Sequence, residues 1–296
     1  MNFVILDLEW NSSYCKKKKC FMSEIIEFGA VKFNDSFEVV DTFSMLVAPQ
    51  IAKKLSGKVR ELTNISNEEL ASTGYTFTHV LSKFKKFLGR DMLMTWGTCD
   101  ILALMENTEY YEKNNRIDFI NSYCDIQHYC AAMLGVYNEG KQLGLAPAAE
   151  LLGLDISQIV QHRALQDSYL SMLILKQLYN RDKFESFKTN SQELYYRLTF
   201  RSYYLTDIND PLVNKDEFAI SCDKCGGKTR SLGDWSLRNK SFCAVLYCDK
   251  CKQKLSGKIK FKINYDGMSI KKKIVPYIEP SKVKSGDEIQ PKGALA

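Results

Sequence analysis

No apolar run in this 296-residue sequence approaches the roughly 18 residues that a membrane-crossing helix needs. Also missing is a basic start followed by a long apolar stretch and a small-residue cleavage site. The opening MNFVILDLEW instead carries two acids within ten residues. We therefore expect a chain with no membrane segment and no export signal, residing in a reducing cytoplasm. No internal repeat is present. Hydrophobic residues at 45% and charged residues at 26% exclude collagen-like, low-complexity and wholly disordered chains. Histidine is scarce, with three residues. Two of them, His79 and His128, fall inside helical patterns without a partner motif, which suits structural roles.

Cysteine is plentiful, with ten residues. In a reducing compartment that number points away from a disulfide framework and toward metal binding or burial. The length suits one large domain or two ordinary ones, and the charge divides along the chain. From Asp216 onward there are 17 Lys and Arg against 9 Asp and Glu, a net +8, while the first 215 residues hold 24 against 26, a net −2. Such a split suggests two modules with the second facing a polyanion; a solvated charged surface is the plainer alternative.

Strand-like and helix-like stretches alternate over the first ~180 residues. Residues 2–8, 24–33, 37–47 and 91–96 read as strands, the second and third joined by the Asn34-Asp35-Ser36 turn cluster. Residues 76–88 place Phe77, Val80, Leu81, Phe84 and Leu88 at helical spacing behind Thr76 as a candidate N-cap. Residues 100–112, 125–134 and 165–179 read as further helices. The pattern predicts an α/β domain on a mixed sheet. Residues 191–205 hold five aromatics and two arginines, a helix that packs on a neighbour or a nucleic-acid platform. Short strands, cysteines and lysines fill 218–278, and the Lys-, Ser-, Gly- and Pro-rich end from Lys282 has the composition of a disordered tail.

Two constellations carry chemistry. The first is acidic. Asp7 and Glu9 stand two apart on the first strand, so both point to one face. Two same-side carboxylates following an apolar run repel each other unless a cation neutralises them, and Mg²⁺ takes such oxygen ligands. Two solvated acids at a strand end would give the same pattern. Asp100, after a second apolar strand and a Gly97-Thr98 turn, Asp167 on the long helix, and His162 five residues before it extend the set.

The order D-x-E, then D, then H-x4-D resembles the DEDDh family of 3′–5′ exonucleases, and most resembles its ERI-1/KapD-like branch. Leu6-Asp7-Leu8-Glu9, Trp96-Gly97-Thr98-Cys99-Asp100 and His162-Arg163-Ala164-Leu165-Gln166-Asp167 carry the likeness. Glu24 to Val31 (EIIEFGAV) and Glu61-Leu62-Thr63-Asn64-Ile65 support it over about residues 1–180. The resemblance implies an RNase H-like mixed sheet with flanking helices and release of nucleoside 5′-monophosphates from a 3′ end. Asp7, Glu9, Asp100 and Asp167 would hold two Mg²⁺ (or Mn²⁺), which can serve both the attacking and the leaving oxygens. His162 would be the general base, because an imidazole titrates near neutrality. Leu8, Leu62, Thr63 and Trp96 would contact substrate. The branch favours RNA over DNA. A DNA proofreading or repair exonuclease is the nearest rival, and a binding or scaffold protein with a vestigial domain is the rival of another class.

The second constellation is sulfur. Cys222-Asp-Lys-Cys225 and Cys248-Asp-Lys-Cys251 are two C-x2-C knuckles separated by 22 residues, the pattern of one four-thiolate structural Zn²⁺. Residues 235–246 would supply a hairpin between them, and Cys243 is a rival ligand. The module resembles a zinc ribbon. Its lysines, among them Lys258, Lys260 and Lys262 on one strand face, suit a phosphate backbone, with a solvated face or a protein-docking surface as alternatives. The expected organisation is an exonuclease domain over 1–180, a helical linker over 181–215, a small β-rich zinc ribbon over 216–280 and a tail over 281–296.

Overall fold

The opening apolar run lies at the centre of a six-stranded sheet in the computed structural model, which describes residues 2–136, 142–156 and 162–279. The chain divides into two units, Met1–Thr199 and Phe200–Ala296. In the first, β1 (Phe3–Cys15), β2 (Cys20–Phe33) and β3 (Val39–Leu46) form an antiparallel meander. Helices α1 (Gly57–Thr63), α2 (Asn67–Thr73) and α3 (Phe77–Leu88) follow. Then come β4 (Met92–Thr95), α4 (Cys99–Glu112), β5 (Ser122–Asp125), α5 (Ile126–Met133), α6 (Leu145–Leu151), α7 (Ala164–Leu178), α8 (Arg181–Glu185), β6 (Lys188–Asn190) and α9 (Ser191–Thr199). The sheet order is β3-β2-β1-β4-β5-β6, with the β1–β4 and β4–β5 pairs parallel and the others antiparallel. This is the mixed α/β sheet that the alternation predicts.

Alternation along β1 supplies both faces of the core. Val4, Leu6 and Leu8 bury on the side of α3 and α4, against Phe84 and Leu104. Phe3 and Ile5 bury on the other side, against Tyr129, Leu170 and Leu175. Each such side chain contributes about 1.5–3 kcal/mol when fully buried. The Thr76 hydroxyl caps α3 by accepting from the His79 backbone N–H.

The first strand runs well past Leu8, where its apolar pattern ends. Beyond a bulge at Glu9/Trp10, β1 pairs with β2 as far as Cys15↔Cys20. The extension is hidden from a hydropathy reading because its inward residues are polar. Asn11 and Ser13 are buried, and their needs are met locally: Asn11 Nδ2 donates to Ser13 Oγ at 3.0 Å, and Ser13 Oγ donates to Glu24 at 2.7 Å. The Lys16–Lys19 run is simply the hairpin turn, with Lys19 at φ 54°.

Residues 181–215 are shared between the units. Strand β6 joins the first sheet, and α9 seats Leu194, Tyr195 and Leu198 on the first core, while Tyr196, Phe200 and Tyr203 are exposed. Tyr203–Tyr204 instead forms β7 of the second unit. There, β8 (Thr229–Ser231), β9 (Ser236–Arg238), β10 (Ser241–Cys248), β11 (Gln253–Asn264) and β12 (Gly267–Pro276) make an antiparallel sheet in the order β12-β11-β10-β8. Strand β7 joins β11 and β9 joins β10. Asn239 and Lys240, both at positive φ, form the two-residue turn of the expected hairpin. Phe242, Leu246, Leu255, Ile259 and Phe261 build a small core on one face. The expected tail over 281–296 lies outside the described residues. No helix among the described residues is long and apolar enough to cross a membrane.

Candidate active site

Strand β1 outruns its parallel neighbour. Pairing with β4 covers Phe3 to Ile5 only, so the β1 edge opens beyond the C-terminal end of β4, where α/β sheets place their sites. Asp100, in the first turn of α4, fills part of this gap: its Oδ1 accepts the Leu8 backbone N–H at 2.9 Å. Asp7 and Glu9 follow Phe3 and Ile5 on the α7 side of β1. Asp167, in the first turn of α7, comes from across the cavity. The carboxylates and His162 line one cavity of about 420 Å³, together with Leu8, Trp10, Trp96, Cys99, Leu145, Ala146, Pro147 and Leu170. Ligand-capable atoms of Glu9, His162 and Asp167 all lie within 4.8 Å of one another.

The electrostatics are those of crowded anions. Burial, and then the charges of Asp100, Asp167 and Glu9, push the Asp7 carboxyl well above the ordinary range. Burial pushes Glu9 up to about 8 and Asp100 to about 7, the latter despite the Leu8 N–H. Burial raises Asp167 to about 6, opposed by the His162 backbone N–H that it accepts at 2.9 Å. A divalent cation would relieve all four at once. The hard, all-oxygen donor set fits Mg²⁺ or Mn²⁺.

Three features outside the quoted acids set this geometry. Gly29 on β2 is where α7 meets the sheet: a Cβ there would lie 2.0 Å from Leu165 N and 2.1 Å from Ala164 C. Ser168 Oγ donates to the Gly29 carbonyl at 2.8 Å and fixes the contact. Glu27, buried on the same strand, accepts Arg163 Nη2 at 2.8 Å and Nε at 3.1 Å, and also the Ala164 N–H at 3.2 Å. It thereby anchors the start of α7, beside His162, which is held at φ 62°. Asn107 of α4 donates to Ser23 O at 2.7 Å and ties that helix to β2. Both Glu27 and Arg163 stand within motifs legible in the sequence, but their pairing across 136 residues is not.

Not every expected contact converges. Leu8 and Trp96 line the cavity, with Trp96 Nε1 donating to Leu143 O at 3.0 Å. Leu62 and Thr63, on α1, do not line it. Leu62 is 46% exposed, and Thr63 is buried with its hydroxyl spent on the helix end, donating to Val59 O at 2.8 Å. His79 stacks on Tyr75, and His128 packs edge-on to Phe187.

In the second unit, Cys222, Cys225, Cys248 and Cys251 bring their sulfurs within 4.8 Å of one another. Cys225 and Cys248 lie 3.5 Å apart, and Cys222 and Cys251 3.9 Å. A tetrahedron with Zn–S bonds near 2.3 Å has edges of about 3.8 Å, so the four thiols fit one such ion. Backbone N–H groups of Gly227 and Cys251 donate to Cys225 and Cys248, both at 3.4 Å. The N–H of Lys224 helps hold the Cys222 thiol down to about 7. Cys243 stands apart from the four, on the opposite face of β10 from Cys248.

The profile of the exonuclease family described as RNase T matches residues 4–175. A protein of Bacillus subtilis (strain 168) named "Probable 3′-5′ exonuclease KapD" is 28% identical over 185 residues, covering 62% of this chain and 86% of its own. Among solved structures, the nuclease domain of 3′hExo, titled a DEDDh family member bound to rAMP, is 25% identical with a TM-score of 0.51. That match covers 60% of this chain and 90% of its own. A 3′-exonuclease titled for recognition of the histone mRNA stem-loop shares the fold at 24% identity and a TM-score of 0.51, covering 60% of this chain and 80% of its own.

Proposed function

Because the chain belongs to the RNase T exonuclease family, we propose that it is a 3′–5′ exonuclease that hydrolyses RNA in preference to DNA and releases nucleoside 5′-monophosphates. The observation that carries this reading is the convergence of four carboxylates from β1, α4 and α7, with His162, on one open cavity. Sites that hydrolyse through a covalent intermediate place a nucleophile beside a base. Here the acids outnumber every other polar group, which suits a site that would hold divalent cations, and those cations would neutralise the charge of the phosphodiester. The preference for RNA follows the likeness to the 3′hExo nuclease domain, whose structure is titled as bound to rAMP.

Asp7, Glu9, Asp100 and Asp167 hold two Mg²⁺ or Mn²⁺ ions. When bound, these ions supply charge neutralisation at the scissile phosphate. His162 accepts the proton of the attacking water on an imidazole nitrogen. Its loop position, fixed by its backbone N–H on Asp167, keeps the ring over the cavity. Leu8 and Trp96 pack on the terminal nucleoside and exclude water from it. The four-cysteine site holds one structural Zn²⁺. None of the ten cysteines is disulfide-bonded, which suits a reducing cytoplasm.

A time course on matched 5′-labelled single-stranded RNA and DNA, with Mg²⁺ or Mn²⁺, tests the reading. We expect a descending ladder, faster on RNA, from the intact protein and none from Asp167→Ala, whose thermal unfolding is unchanged. A ladder that survives Asp167→Ala would refute the site. No ladder with either ion on either substrate would refute the activity.

A further inference from the structure

One face of the C-terminal sheet is apolar, and the other is covered with lysine. The register of β11 and β12 sets Lys258 opposite Lys273 and Lys260 opposite Lys271. Directly opposed residues share a face, and i, i+2 neighbours stand about 7 Å apart along a strand. The backbone positions of the four lysines therefore form a compact quadrilateral on one face. Like charges placed opposite one another destabilise a sheet, and the core on the far face does not require them.

Among the described residues no carboxylate pairs with any of the four. Lys272, one residue out of phase with them, is paired with Glu217 at 2.7 Å. With Arg238 of β9, the four line a concave trough of about 560 Å³ that no acidic residue enters. Lys262 continues the row toward β7, where Tyr204 lies opposite it. Lys240 and Lys260 flank the Tyr204 ring at 5.4 and 5.7 Å.

We propose that this face binds the sugar–phosphate backbone of a single-stranded nucleic acid. The spacing of the lysines along β11 is close to that of successive phosphates in an extended strand, and a ring flanked by cations can receive a base. The trough lacks the large apolar anchors around which protein interfaces are built. The inference concerns the second unit alone and holds whether or not the exonuclease reading does.

The test uses the full chain carrying Asp167→Asn, so that bound strands persist, with and without Lys258→Gln, Lys260→Gln, Lys271→Gln and Lys273→Gln together. Fluorescence anisotropy would follow binding of labelled oligouridylate and oligothymidylate between about 50 and 200 mM salt. We expect the fourfold variant to bind at least about tenfold more weakly at low salt. Its log–log salt slope should be shallower by about 3, at roughly 0.7 per lost contact. Zinc content and thermal unfolding would report whether this variant folds. If it does not, the 258/260 and 271/273 pair variants carry the test, each with about half the slope change. An unchanged affinity and slope would overturn the proposal. So would poly-L-glutamate binding as tightly as the oligonucleotides, an outcome that assigns the face to an acidic protein.

Discussion

The two units gather metal-ligating side chains by opposite strategies. In the first, the donors are oxygens from positions as distant as Asp7 and Asp167, and only a completed sheet brings them together. In the second, the donors are sulfurs from two local knuckles that face each other once β10 meets β8. The first set stands in an open cavity within a unit that buries two large clusters, Val4 to Leu194 and Phe3 to Phe184. The second stands within a unit whose buried cluster, among the described residues, is smaller. The difference teaches which partner depends on which. In the first unit the fold creates the cation site and pays for crowding its anions; in the second, on the proposed reading, a zinc ion would create the fold.

Removing zinc is the hardest test of that contrast. Structural zinc supplies on the order of 10 kcal/mol to small modules. A zinc-selective chelator, or Cys248→Ser, should therefore unfold the second unit while the first persists. Limited proteolysis should cut the chain beyond Thr199 and leave a fragment that still cleaves a dinucleotide. A second unit that resists protease without zinc would erase the comparison.

Within the first unit, chemistry and stability should separate. His162→Ala is expected to lower turnover by about two to four orders of magnitude, the range for a general base, while melting with the wild type. Full turnover across neutral pH would remove His162 from the mechanism. Gly29→Ala should do the reverse in emphasis. It forces α7 from the sheet at a cost of about 1–3 kcal/mol, as overpacking does, and carries Asp167 out of register with Asp7. Calorimetry and turnover should fall together. A Gly29→Ala protein with wild-type stability would mean that α7 adjusts freely.

These particular residues show how far the sequence could be read. Asp7, Glu9, Asp100, His162 and Asp167 are legible because carboxylates at strand and helix ends have no role in a core and follow an ordered motif. The four cysteines are legible because their ligand set is nearly local. Gly29 could be seen as part of a motif, but a missing side chain does not announce what approaches it. Glu27 and Arg163 are individually unremarkable, and only the fold makes them a pair. The long β1–β2 hairpin escaped because its interior is polar and satisfied by Glu24, which also accepts the N–H groups of Gln50, Ile51 and Ala52. Thr63 stood in a recognisable element, yet its hydroxyl closes its own helix.

The remaining prediction is the one in which the two units should move in opposite directions. In cation-free protein, Glu9 titrates at about 8 instead of its ordinary 4.5, and Asp100 at about 7 instead of 3.8. The folded state therefore holds protons that the unfolded state has released. Stability contributed by these groups falls as pH rises from about 4 to 8, because folding must then retain or pay to ionise them. Glu9→Gln should match the wild type near pH 4 and surpass it near pH 8 in cation-free thermal melts, and added Mn²⁺ should cancel the advantage by stabilising the ionised wild-type cavity. The four-cysteine unit should have the reverse sign, since a bound zinc would take thiolates as ligands and acid would compete for them. Zinc release on acidification, followed with a chromogenic chelator, should begin while the carboxylate cavity is being relieved of its charge. Were Glu9→Gln less stable than the wild type near pH 8 without cation, the crowding of anions in the cavity would be smaller than its burial implies, and the two units would differ in ligand chemistry alone.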